Sequence, residues 1–81
     1  MDIPHLPKSA LIDGQYYYGR CRNANVAKWR AKENDFIHWR TKFGLTFTEE
    51  IRHPEDELRY DVFYPVREAT ADEISSLPGE L

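Results

Sequence analysis

Cys21 is the only thiol in this 81-residue chain. No intramolecular disulfide can form, and a reducing compartment is expected. No stretch approaches the run of about 18 apolar residues that a membrane-spanning helix needs. The opening MDIPHLPKS lacks a basic segment followed by an apolar one, so no secretory signal is expected and the cytoplasm is the expected location. Motifs of familiar chemistry are also missing: there is no glycine-rich phosphate loop, no nucleophile elbow and no HExxH helix. His53-Pro54-Glu55-Asp56-Glu57 has turn chemistry without a recognised ligand spacing, so no metal site is expected. Cys21 shares a strand face with Tyr17 and Gly19 and reads as a small buried hydrophobe. The alternative is a reactive thiol whose pKa is lowered by Arg20 and Arg22. A chain this short sits near the lower limit for burying a core, and filling that core leaves little volume for a substrate. The expectation is a single non-enzymatic domain without cofactors.

Aromatic residues are plentiful at 14%, enough to help a small core because each ring buries a large area. Residues 1–9 hold Pro4 and Pro7 and read as an extended arm. The β core is expected over 10–66. Asp13-Gly14 between Leu11-Ile12 and Gln15-Tyr16-Tyr17-Tyr18 is a two-residue hairpin signal, followed by a strand from Gln15 to about Arg22 and a turn at Asn23-Ala24-Asn25. Gly44 breaks the next pair of strands. Leu45–His53 and Leu58–Tyr64 read as further strands, separated by the acidic turn Pro54-Glu55-Asp56-Glu57, with Pro65 ending the last. Thr70-Ala71-Asp72-Glu73 is a capping-box pattern that opens a short helix over 70–77, stopped by Pro78-Gly79. The expected fold is mainly β: an antiparallel meander of five or six strands curled into a small barrel or half-barrel, with the helix closing one end.

Residues 26–43, VAKWRAKENDFIHWRTKF, form the central hairpin and sort by alternation into two kinds of face. Odd positions include Trp29, Ile37, Trp39 and Phe43. Even positions include Lys28, Arg30, Lys32, His38, Arg40 and Lys42. A three-residue loop, Glu33-Asn34-Asp35, keeps these faces separate by setting Trp29 opposite Trp39, Arg30 opposite His38 and Lys28 opposite Arg40. Asn34 or Asp35 would supply its left-handed residue. The result is a cationic stripe, which Tyr16, Tyr18, Arg20 and Arg22 on the preceding strand could extend. Such a stripe suits phosphates or an acidic protein. It is equally consistent with an ordinary exterior neutralised by Glu50 or Asp61. The two tryptophans read as a core pair or as stacking residues.

The string Asp13-Gly14-Gln15-Tyr16-Tyr17-Tyr18-Gly19-Arg20-Cys21-Arg22-Asn23-Ala24, followed by Trp29 and by Arg40-Thr41-Lys42-Phe43-Gly44, resembles small phage- or prophage-type proteins of unknown function over about residues 11–66. The resemblance carries no catalytic residues. It implies an accessory factor that binds a host or phage macromolecule without chemistry. The expected function is therefore a binding domain, monomeric or weakly dimeric, that engages a protein through the Tyr/Arg surface and the basic hairpin. Nucleic-acid binding by the same stripe is the first alternative. A structural module that self-assembles through an exposed edge strand is the second.

Overall fold

The computed structural model describes residues 4–56 and 61–81. Five strands, β1 (Tyr16–Arg20), β2 (Val26–Arg30), β3 (Asp35–Lys42), β4 (Leu45–Ile51) and β5 (Tyr64–Glu68), form one open antiparallel sheet in the order β4-β3-β2-β1-β5. One helix, α1 (Ala71–Ser75), and two 3-10 turns, Lys8–Ala10 and Pro54–Asp56, complete the chain. The mainly β fold with one short C-terminal helix is thus as the sequence predicts. A parallel bridge between Arg52 and Val62 ties the segment leaving β4 to the segment entering β5. Among the described residues, no helix is long and apolar enough to cross a membrane.

The central hairpin departs from the expected register. Its loop has four residues, Ala31 to Asn34, and the pairs are Arg30 with Asp35, Trp29 with Phe36 and Lys28 with Ile37. Asn34 supplies the left-handed residue, at φ 57°. Arg30 holds Asp35 through two hydrogen bonds of 2.9 and 2.8 Å, which locks this pairing. Loop parity decides the faces, so β3 is inverted relative to the expected arrangement. Phe36, His38 and Arg40 share the face of Ala27 and Trp29. Ile37 and Trp39 share the face of Lys28 and Arg30. Trp29 and Trp39 are therefore not a pair, and Lys28 and Arg40 lie on opposite faces.

The core follows from this register. Tyr17, Ala27, Trp29, Phe36, Ile51 and Phe63 are buried together, with Leu6, Leu11 and Cys21 packed around them. The Phe36 ring is 4.9 Å from Trp29 and 4.8 Å from Phe63, centroid to centroid, and both contacts are tilted as aromatic pairs prefer. Of the three consecutive tyrosines, only Tyr17 enters the core.

Two expected strands take other forms. Leu11-Ile12 is not a strand, although Asp13-Gly14 does turn, with Gly14 at φ 84° and Gln15 N–H donating to the Ile12 carbonyl at 3.0 Å. The Ile12 amide donates to the Tyr17 hydroxyl at 2.9 Å instead of joining a ladder. The Leu58–Tyr64 strand falls partly outside the described residues, and the observed β5 begins at Tyr64 and runs through Pro65 rather than stopping there. Proline is tolerated because β5 is an edge strand. Gly19 lies opposite Pro65 at a register shift in β1. A methyl group on Gly19 would sit 2.1 Å from the Tyr64 carbonyl oxygen, so the two backbones meet where only glycine fits. Gly19→Ala is expected to lower the unfolding free energy by about 3 kcal/mol, the upper end for overpacking, measured by urea denaturation with the slope unchanged.

Candidate protein-interaction surfaces

The ten residues that the sequence singles out do not form one stripe. Tyr16, Tyr18 and Lys28 lie on the face covered by residues 70–81. Lys28 Nζ is 5.9 Å from the Tyr16 ring centre and donates to the Leu81 carbonyl at 3.1 Å, while Leu81 N–H donates to the Tyr16 hydroxyl at 3.0 Å. Trp39 Nε1–H donates to the Gly79 carbonyl at 3.0 Å. The C-terminal segment is therefore strapped across this face by three side chains that hold its main chain. Arg67 lies 4.3 Å above the Tyr18 ring and forms a two-pronged pair with Glu73 at 2.9 and 2.8 Å. An open groove of about 340 Å³ lies beside the strap, lined by Tyr18, Val26, Trp39, Glu73, Ser76 and Leu77 among others.

Three of the other cations have acidic partners. Arg30 pairs with Asp35, and this carboxylate raises the guanidinium pKa. Arg40 donates to Glu49 at 2.8 Å, so its carboxylate is Glu49 rather than Glu50. Arg22 approaches Asp61 at 3.8 Å while staying exposed. Arg20, Lys32 and Lys42 are exposed at separate places: the end of β1, the β2–β3 loop and the end of β3. His38 is fully buried. Its Nδ1 is 3.2 Å from the Trp39 carbonyl, and its Nε2 is 3.4 Å from Glu49 Oε1 without forming a hydrogen bond.

Cys21 is half-buried and burial is the main cause of its raised pKa, with Asp61 and Glu49 adding to it. The flanking arginines do not reverse this, so the thiol is not activated. His53 is buried with both ring nitrogens engaged: Nδ1 accepts the Glu55 amide at 3.0 Å, and Nε2 meets the Leu6 carbonyl at 2.9 Å. Among the described residues, no group of three or more His, Cys, Asp or Glu is placed to hold a metal ion.

A surface outside the expected set stands out on the β3–β4 hairpin. Residues 41–48 are all exposed. Lys42 pairs with Leu45 around a two-residue turn, Phe43-Gly44, in which both φ angles are positive at 54° and 76°. Phe43 is 92% exposed, Leu45 68% and Phe47 38%. Lys42 Nζ lies 5.4 Å from the Phe43 ring centre, and Arg40 opposes Phe47 across the hairpin. The signal was present in the sequence as Lys-Phe-Gly-Leu between two β-forming runs, but Gly44 alone reads as a strand break.

No protein-family model, curated protein or solved structure matches this chain.

The strap carries a pH dependence. Glu73 is held at about 2, below its ordinary 4.5, first by Arg67 and then by the Thr70 amide of the capping box. A lowered carboxyl pKa stabilises the fold above 4.5 and loses that contribution as pH falls toward about 2. The thermal midpoint of wild type should therefore exceed that of Glu73→Gln at neutral pH, and the gap should close as the solution is acidified through this window.

Proposed function

We propose that this protein is a non-enzymatic binding domain that docks a protein partner on the exposed end of the β3–β4 hairpin. The observation that carries this reading is Phe43. A bulky residue at positive φ is an outlier, and left-handed backbone costs an L-residue roughly 1–2 kcal/mol. Asn is the residue that a two-residue turn before glycine prefers. Keeping a phenylalanine there, 92% exposed, sacrifices local stability and exposes an apolar ring, the combination expected of an anchor for another molecule. Leu45 and Phe47 widen the apolar contact, and Lys42 and Arg40 add cations at its margin, suited to steering an acidic partner. Tyr16 and Tyr18 contribute less than the sequence implies, since the strap covers their face. An accessory role of the kind implied by the phage-type resemblance is compatible with such a surface.

Nucleic-acid binding is the weaker reading. Lys28, Arg30 and Arg40 have internal partners, and the exposed cations are scattered rather than aligned along a groove.

Phe43→Asn separates binding from folding. It should stabilise the domain by about 1 kcal/mol through relief of the left-handed strain, while proteins captured from host lysate by the wild type are lost. Capture that survives the substitution would place the site elsewhere. Titration with labelled DNA and RNA should show no binding at low salt. Affinity that falls by ~0.7–0.9 log units per neutralised phosphate for each tenfold rise in salt would favour the nucleic-acid reading instead.

A further inference from the structure

The two edges of the sheet are finished differently. β5 carries Pro65, Arg67 and Glu68, and its Pro65 carbonyl accepts the Leu6 N–H of the N-terminal arm at 2.7 Å. These are recognised ways of blocking an edge. β4 instead begins Leu45-Thr46-Phe47-Thr48, with no charge and no proline, and its seven pairs with β3 run without a register shift.

The outward groups of β4 follow from the hairpin. Residues flanking a two-residue turn bond to each other, and bonded and non-bonded pairs then alternate. Leu45, Phe47, Glu49 and Ile51 therefore bond inward to β3, while Thr46, Thr48 and Glu50 point their main-chain groups outward. Arg52, the next residue in the outward series, confirms the parity: its carbonyl accepts the Phe63 N–H at 2.9 Å. Among the described residues, no main-chain hydrogen bond from another segment reaches Thr46, Thr48 or Glu50.

We propose that this edge pairs with the same edge of a second copy, joining two sheets about a two-fold axis at Phe47. This register sets Thr46 against Thr48 of the second copy, outward group to outward group, and Glu50 against the other chain's Gly44. Phe47 meets its own counterpart on one face, at a non-bonded position where Cβ atoms lie about 4.5–5.5 Å apart. The threonines meet on the opposite face, extending the Thr41–Thr46 hydroxyl contact of 3.2 Å. Glu49 falls opposite Leu45 of the other chain, so no like charges face each other across the seam. An axis at Thr48 would bring the two copies of Glu49 into diagonal contact, and an axis at Thr46 would run the pairing into the turn. The inference goes beyond the docking role: Leu45 and Phe47 border both contacts, but the Phe43 ring, which anchors docking, lies in the turn just outside the paired stretch.

Analytical ultracentrifugation across micromolar to near-millimolar concentrations should show the mass rising from 9.6 kDa toward twice that value. Thr48→Pro removes one outward amide and leaves the inner ladder intact, so it should stay monomeric with an unchanged circular-dichroism spectrum. Phe47→Cys in a Cys21→Ala background should cross-link as a dimer under mild oxidation. Association should persist in Phe43→Asn, which separates it from partner docking. A wild type that remains monomeric, a Thr48→Pro variant that still associates, or a dimer that cannot be cross-linked through position 47 would each overturn the proposal.

Discussion

The four-residue loop between β2 and β3, and the Arg30–Asp35 pair that closes it, determine which half of β3 is buried. Because side chains alternate along a strand, a loop one residue shorter would invert every position from Phe36 onward. Phe36 would then leave the centre of the aromatic cluster, where it touches both Trp29 and Phe63. Trp39 would leave the face on which it holds Gly79. The core on one side and the strapped C-terminal segment on the other both follow from one register, so a charged pair at a loop boundary organises apolar packing on two faces.

The same register sends a polar group inward. His38 follows Phe36 on the buried face and leaves Nε2 without a hydrogen bond, 3.4 Å from Glu49. An unsatisfied buried polar atom costs about 1–3 kcal/mol. The Glu49 carboxylate, held on its other oxygen by Arg40, is the nearest acidic group to offset it. His53 is different in kind: with both nitrogens engaged, it joins the N-terminal arm to the turn after β4. The arm is held at this turn again by Lys8, which pairs with Asp56 and lowers its carboxyl pKa, and by the Lys8 amide, which donates to Glu55 at 2.8 Å.

Local chemistry was the legible part of the sequence. Asp13-Gly14 turns, Thr70 and Glu73 form the capping box, and Leu45, Phe47 and Ile51 share a face. Each of these depends on residues within a few positions of one another. The departures come from longer-range interactions. Keeping cations apart from aromatics favoured a three-residue loop, but the pairing of Arg30 with Asp35 and the burial of Phe36 outweighed that tidiness. Proline ends ladders in general, which sets the expected last strand before Pro65, whereas an edge position removes the objection. Alternation alone puts Phe43 on the apolar face of the hairpin, and nothing in its spacing marks the hairpin as extending beyond the rest of the sheet.

The sheet order has a kinetic consequence. β2, β3 and β4 are joined by short loops and can form as successive hairpins, but β5 pairs with β1, which lies far from it in sequence. Closing that ladder joins Tyr17 to Glu68 and gathers everything between them into one loop, a step whose entropy must be met before its contacts contribute. Phe63 reaches the core only with this closure. Until the ladder closes, Tyr17, Trp29 and Phe36 lack the ring that completes their cluster, so the core is finished by the pairing that spans the longest stretch of sequence.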